Sequence, residues 1–394
     1  MTSSASPDVA VVGAGAIGAA CAEALSARGL RVLVVDRGGP AAGTTSAGEG
    51  NVLVSDKTPG PELDLALASR REWPLLLARL ADELGPELAE AEWEDKGGVV
   101  VATTDPGPLA AFAATQRSAG VDARVIDRDA ALELEPHLTP RVTGAVHYPD
   151  DAQLQPVLAA TTLLAAVRAR GGEVRSGVTA TGVRRTGEAV SGLETSAGVI
   201  PCGAVVNACG PWSSEFARRA GVPVEILPRR GMLLVTAPLP VCVRHKVYDA
   251  DYVGGVGSSD ADLQTSTVVE STRAGTVLIG SSRERIGFDD TVRVRVLREL
   301  AAKALALFPF LDAVPVMRAY GGFRPYAPDH LPVIGADPRL PGLWHATGHE
   351  GAGIGLAAST GRLLAELFTG TRPHVDAKPF RVGRPAVVGA EVPA

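Results

Sequence analysis

Six residues near the start of the chain restrict its fold more than any other feature. Gly13-Ala14-Gly15-Ala16-Ile17-Gly18 follows the apolar run Val9-Ala10-Val11-Val12 and opens an alanine-rich stretch. The apolar run predicts a strand over 8–13, the alanine-rich stretch a helix over 15–28 stopped by Gly29, and the β-branched run after it a strand over 31–36. That order is a βαβ unit. Gly13 permits the tight turn, Gly15 lets backbone approach a pyrophosphate, Gly18 lets helix and strand pack closely, and the helix N-terminus faces negative charge. Asp36 stands 18 residues beyond Gly18, where its carboxylate accepts from both hydroxyls of a ribose and repels a 2′-phosphate. A dinucleotide site is predicted, with a tight structural turn as the alternative.

A chain of 394 residues predicts two compact units. With 46% hydrophobic and 21% charged residues it can bury a large core, which excludes wholesale disorder. Lys+Arg 38 against Asp+Glu 44 gives −6 with no long basic run, so nucleic acid is not expected as a partner and a small ligand is. Cys21, Cys202, Cys209 and Cys242 are too far apart for a zinc or iron–sulfur motif, and no metal site is expected. No basic leader precedes the first strand and no apolar run reaches 18 residues, so no transmembrane segment and a cytoplasmic location are expected.

Further along, helical spacing predicts a helix over 61–84 kinked at Pro74, a strand over 98–103, and helices over 108–118, 129–135 and 155–170. Asp150-Asp151 reads as a turn with solvated carboxylates. Short strands follow over 177–184, 189–195 and 204–207, then a β-rich stretch over 229–281, a helix over 291–308 and a strand over 316–321. Two strands, 331–334 and 343–346, and a helix over 351–369 complete the pattern, leaving 373–394 as a loose C-terminal tail.

Three segments decide which dinucleotide is expected. The run from Gly43 through Thr44, Thr45, Ser46, Glu49 and Gly50 to Asn51 is a loop of glycines and hydroxyls, able to offer N–H and O–H donors to a pyrophosphate and a ring. Val205-Val206-Asn207-Ala208-Cys209-Gly210 reads as a buried strand that stops at Gly210. Gly348-His349-Glu350-Gly351-Ala352-Gly353-Ile354-Gly355 opens the last helix and supplies a second positive dipole end. Such an end suits a flavin, which becomes anionic on reduction, better than a nicotinamide.

With these residues the chain resembles the FAD-dependent oxidoreductases of the D-amino acid oxidase type, the family of glycine oxidase and sarcosine oxidase. The resemblance runs from Val11-Val12-Gly13 through Gly321-Gly322-Phe323-Arg324-Pro325 and Asp329-His330-Leu331-Pro332 to Gly348-His349. It implies an α/β fold: a Rossmann-type FAD-binding domain (1–60, 143–222 and 321–372) and a mixed β-sheet plus helices substrate domain (61–142 and 223–320), discontinuous in sequence. It implies FAD contacts from Gly13, Gly15, Ala16, Ile17, Gly18, Asp36 and Arg37, from Thr44, Thr45, Ser46, Gly50 and Asn51, and from Val178 and Gly210. Along the flavin ring it implies Gly348, His349, Glu350, Gly351, Gly353 and Ile354. Asp36 stands where the family usually has Glu. Some sarcosine oxidases attach FAD through a cysteine near the position of Phe323; residues 321–335 contain none, so the FAD is expected to be non-covalent.

The implied activity is oxidation of a small amino acid or secondary amine (glycine, sarcosine, proline or hydroxyproline, D-amino acid or opine type) by hydride transfer from Cα to flavin N5, giving an imine. In the family the arginine matching Arg324 clamps the substrate carboxylate, which a planar guanidinium does better than an ammonium. The alternative is a structural arginine tying the Asp329 turn. Tyr248 and Tyr252 are candidates to share the carboxylate or close the pocket, or else are packing residues, and His349 and Glu350 reach the flavin or amine, or else cap a helix. Cys21 and Cys209 read as inert packing thiols.

Sarcosine-type oxidases use a lysine near N5 to attract oxygen, and no lysine lies between Lys246 and Lys303, although Arg283 or Arg285 offers a replacement charge. The stretch 232–288 looks most like the catalytic subunits of hydroxyproline/proline dehydrogenase, opine oxidase and hydrogen cyanide synthase. That implies a dehydrogenase passing electrons to partner subunits with flavin and iron–sulfur centres. An oxygen-using oxidase, a non-catalytic flavin-fold subunit and an NAD-dependent dehydrogenase are the alternatives.

Overall fold

The computed structural model describes residues 6–250 and 258–389. Strands Leu343–Thr347, Ala204–Asn207, Val9–Val12, Val32–Asp36 and Glu173–Ser176 lie side by side and parallel, and Val333–Ala336 joins the Leu343–Thr347 edge antiparallel. Alternation along the strands sends Val9, Val11, Val32, Val34 and Val206 to one face, among helices Ala16–Ser26, Pro61–Leu84, Pro156–Ala169 and Gly353–Phe368. Ala10, Val12, Leu33, Val35 and Val205 point the other way, onto an antiparallel meander of Ala180–Thr186, Ala189–Thr195 and Gly198–Pro201. With both faces covered, these strands read as continuous apolar runs. The first and last helices approach so closely that a Cβ on Gly361 would stand 2.4 Å from the Ala20 carbonyl oxygen.

A second sheet has eight strands in the order Val316–Tyr326, Leu227–Thr236, Val277–Arg283, Gln264–Ser271, Lys246–Asp249, Gly98–Ala102, Gly144–Tyr148 and Arg124–Ile126. Lys246–Asp249 and Gly98–Ala102 pair parallel; the other pairings are antiparallel. Helix Val294–Leu307 covers one face through Val296, Leu300, Ala304 and Leu307. From the other face Tyr148, Tyr248 and Val268 pack into the core shared with the first layer.

Several expectations are corrected. Strands Gly144–Tyr148 and Val316–Tyr326 belong wholly to the second sheet, so the proposed boundaries at 143 and 321 cut into it. Helix Pro61–Leu84, expected with the substrate unit, packs on Gly353–Phe368 of the first layer. The helix continues on both sides of Pro74, and beside it the fully buried Trp73 donates from its indole to the Ile354 carbonyl at 3.1 Å. Asp151 is not solvated: it is fully buried and accepts from the Val54 and Ser55 amides and the Ser55 hydroxyl. Nor is 373–389 a loose tail. Phe380, Val382 and Val387 are buried, and Arg384 donates to Asp329 Oδ2 at 2.7 Å and to the carbonyls of Leu331 and Pro332.

Candidate active site

The parallel strands of the first sheet point their carboxyl ends at a cleft of about 420 Å³, at the switch point where strand order leaves Val9–Val12 in two directions. The turn at Gly13 has φ 110°, and a Cβ there would stand 2.3 Å from the Ala208 carbonyl oxygen. A Cβ on Gly18 would stand 1.9 Å from the Gly13 oxygen, so Gly18 sets helix packing and does not line the cleft. Gly15, Ala16 and Ile17 do line it. The Asp36 carboxylate is held by the amides of Ala14 (2.8 Å) and Gly38 (2.7 Å), which leave lone pairs for hydroxyl donors, and the Asp36 backbone carbonyl accepts from Val178 N at 2.9 Å. Next to it the Arg37 guanidinium stacks 4.0 Å over Trp212.

The loop after the second strand folds back over the first helix. Thr45 Oγ1 accepts from Ala16 N at 2.9 Å, and Thr44 Oγ1 donates to the Phe323 carbonyl at 2.6 Å, tying the two sheets together. Thr44, Thr45, Gly50, Asn51 and Gly210 line the cleft, whereas Ser46 turns outward to the Gly43 carbonyl and does not. The start of the last helix brings His349, Glu350, Gly351, Gly353 and Ile354 to the wall; Gly348 packs instead against Ala327, Ile226 and Val333. The His349 ring is buried, makes a 3.0 Å contact with Thr360 Oγ1, and is pushed down to about 3 by burial, so it is a neutral group at physiological pH. It carries no charge to a substrate.

Arg324 lies on strand Val316–Tyr326, directly opposite Arg229 on Leu227–Thr236. Its guanidinium sits over Gly231, where a Cβ would come within 2.2 Å of Nη1, and donates from Nη1 to the Ser282 carbonyl at 2.8 Å. Only a glycine at 231 admits it there. The structural role of tying the Asp329 turn belongs to Arg384, not Arg324. Arg229, buried, pairs with Glu350, which also contacts His330 at 3.3 Å. Burial alone would raise the Glu350 carboxyl; His330 and Arg229 outweigh it and hold the group below its ordinary range.

Tyr248 is not brought to the cleft. It is fully buried, donates to Ser55 Oγ, and Ser55 donates on to Asp151, within the core shared by the two layers. Tyr252 lies outside the described residues. Cys21 and Cys209 both have thiols pushed up to about 12 by burial. No group of metal-binding side chains occurs among the described residues.

One cluster has no local signal in sequence. Glu49, Asn51 and Ser281 line the cleft, and behind them the buried Lys246 donates to Asn51 Oδ1 and, at 3.1 Å, to Glu270 Oε2. Asn51 Nδ2 donates to Glu49 Oε2 at 2.9 Å. Glu49 already stood inside the glycine-rich loop, but Lys246 and Glu270 sit in strands where a buried charge leaves no pattern. Lys246 is one residue outside the lysine-free stretch, and it touches the wall from behind, through Asn51.

The cleft thus offers a carboxylate acceptor at one end, backbone donors at a helix start between, and a second helix start beside a guanidinium at the other, a set that fits a flavin dinucleotide. Residues 8–367 match the family profile "FAD dependent oxidoreductase". The chain is 30% identical to glycine oxidase of Pseudomonas aeruginosa, over 94% of this chain and 97% of that protein. It is 29% identical to hydrogen cyanide synthase subunit HcnC of the same species, over 96% of each. The crystal structure of glycine oxidase from Geobacillus kaustophilus superposes with a TM-score of 0.87 at 27% identity, covering 96% of this chain and 98% of that one.

Proposed function

Since the chain belongs to the family of FAD-dependent oxidoreductases, we propose that it oxidises a small amino acid or secondary amine of the glycine, sarcosine, proline, D-amino acid or opine type, at the CH–NH bond. The observation that carries this reading is Arg324, seated on Gly231 and beside Gly351 in the wall of the cleft. Bound FAD supplies the acceptor for the hydride leaving the substrate Cα. Gly13 to Ile17, Asp36 and the 44–51 loop hold it. Arg324 binds the carboxylate through a two-pronged charged contact and so fixes which face of Cα is presented. The start of the Gly353–Phe368 helix favours negative charge developing beside it. With no cysteine in 321–335, the FAD is held without a covalent bond and is released by acid.

For the electron acceptor, likeness to HcnC favours partner subunits carrying further redox centres. Oxygen is the second reading, favoured by Lys246, whose ammonium lies behind the cleft wall. No helix among the described residues is long and apolar enough to cross a membrane, and we place the protein in the cytoplasm. Anaerobic mixing with D- and L-amino acids, N-methyl amino acids, prolines and opines tests the reaction through loss of flavin absorbance near 450 nm. Bleaching by none of them would overturn the reading. Stopped-flow reoxidation by oxygen against an artificial dye then decides between acceptors.

A further inference from the structure

Resting on that amine-oxidising reading, we propose that Glu49 is the base that takes the proton from the substrate ammonium, so that the amine is neutral when hydride leaves. The Glu49 side chain is 10% exposed and lines the cleft, yet its Oε1 is buried with no hydrogen-bond partner. Its other oxygen is committed: Oε2 accepts from Asn51 at 2.9 Å, and Asn51 accepts in turn from Lys246. Lys246 is 3.9 Å from Glu49 and closer, at 3.1 Å, to Glu270. The cluster therefore orients Glu49 without using the oxygen left over. A buried carboxylate oxygen without a donor is costly, and a substrate N–H removes that cost.

The position relative to Arg324 fits a zwitterion. Glu49 Oε1 lies 2.3 Å from where a Cβ of Gly280 would stand, while Arg324 bonds the carbonyl of Ser282 on the same strand. Gly280 and Ser282 stand two residues apart on Val277–Arg283, so Glu49 and Arg324 meet the same short length of that strand. A bent carboxylate–Cα–amine unit, with a hydrogen bond of about 2.8 to 3.0 Å at each end, reaches between two groups that flank one short stretch of wall. Arg324 then meets the carboxylate and Glu49 the ammonium. In the step itself one substrate N–H bond breaks and a Glu49 O–H bond forms; the electron pair stays on nitrogen, and nothing is oxidised or reduced. Ser281, whose hydroxyl is also buried without a partner on this wall, is a second acceptor for an amine N–H. The charged or titratable groups facing Glu49 are Lys246 and Glu270 behind it, Lys96 beyond Glu270, Tyr320 from the neighbouring strand, and Arg324 across the cleft.

The test uses the FAD-loaded enzyme and Glu49→Gln, which keeps the shape and the bond from Asn51 but cannot take a proton, with Glu49→Asp as a second variant. Two probes without a Cα hydrogen, 2-aminoisobutyrate and 2-hydroxyisobutyrate, report binding without turnover. Glu49→Gln should weaken the amine at least tenfold and leave the hydroxy acid within twofold. With the best amine of the anaerobic panel, flavin reduction by Glu49→Gln should rise tenfold per pH unit up to the ammonium pKa and approach the wild type there, with Glu49→Asp in between. Equal weakening of both probes, a wild type that does not prefer the amine probe, or an unchanged pH profile would each overturn the proposal. Should no amine reduce the wild type, the amine-oxidising reading itself falls; reduction of the wild type with an unaltered Glu49→Gln profile removes Glu49 alone.

Discussion

The two walls of the cleft are built by different means. The dinucleotide wall is mostly backbone: Gly13 at φ 110°, amides of a helix start, and Asp36 pinned by two N–H groups, all within 30 residues of one another. The opposite wall is backed by charge pairs that join separate elements: Arg229 with Glu350, Arg230 with Glu284, and Lys246 with Glu270. Recognition by backbone needs only a short stretch with the right glycines, whereas recognition by charge needs each group to find its counter-charge before it can be buried. Faults in the first wall should therefore appear as lost packing and lost cofactor. Faults in the second should appear as lost substrate selectivity.

The largest effect expected is on the charged wall. Arg324→Ala should remove about 2 to 5 kcal/mol of substrate binding and orientation, and Arg324→Lys should restore only part. The loss should be confined to carboxylate-bearing substrates, so flavin reduction by an amino acid and by its decarboxylated amine measures it. Equal losses for the pair, with FAD retention and thermal stability falling together, would place Arg324 with the scaffold and erase the contrast between the walls.

Asp151, at the seam between the layers, provides the next largest effect. Burial pushes its carboxyl up to about 6, against the lowering effect of its bonds from Ser55 and Val54. A raised folded-state value means that the group's stabilising contribution is complete below the ordinary value near 4 and is lost as pH rises through about 6. About two pH units correspond to about 3 kcal/mol. Asp151→Asn does not titrate, so urea unfolding of the variant should improve relative to wild type by about that amount between pH 4 and pH 7.5. A constant difference across that range would show that folding leaves the Asp151 carboxyl at its ordinary value. Glu350, held low, has the opposite sign: its contribution is present above its ordinary value and is lost in acid.

How much of this was legible in the sequence follows the same division. The βαβ unit, the helix at 61–84 and the last helix are local patterns, and they appear where periodicity and glycine stops put them. Edge strands such as Glu173–Ser176 and Arg124–Ile126 are only four and three residues long and partly exposed, too short to show an alternation, and they are defined only by their neighbours. Asp151 read as solvated because a pair of aspartates after Pro149 has the chemistry of a turn; its donors come from Val54 and Ser55, nearly a hundred residues earlier. The tail read as loose because prolines and glycines break it repeatedly, yet Arg384 anchors it through an ion pair no spacing rule contains. Lys246 and Glu270 escaped notice for the same reason.

On the backbone wall, Gly18→Ala is expected to cost about 1 to 3 kcal/mol, since a Cβ has no room 1.9 Å from the Gly13 oxygen and the first helix must shift. Thermal denaturation should show the loss, and FAD content after purification should fall with it, because moving that helix moves the amides that face the pyrophosphate. Flavin reduction per bound FAD should stay near wild type. A variant with normal FAD content and slow reduction would mean the two walls are coupled more tightly than their construction indicates.

The smallest effect sharpens the comparison at its most ambiguous residue. Tyr248 has the composition of a substrate-site tyrosine and sits on a strand of the second sheet, but its ring faces the core and its hydroxyl donates to Ser55. Burial raises its phenol well above 10, so it donates as a neutral group at every working pH. Tyr248→Phe keeps the ring and removes one donor from the Tyr248–Ser55–Asp151 chain. Ser55 still donates to Asp151, so the cost should be that of a single net hydrogen bond, about 1 kcal/mol of unfolding free energy. A substrate-site hydroxyl would behave differently: its loss would leave stability nearly untouched and raise the concentration of amino acid needed for half-maximal flavin reduction. Measuring both quantities on the one variant separates the readings. Lower stability with binding and reduction within twofold of wild type assigns Tyr248 to the seam, while the reverse result would return it to the charged wall.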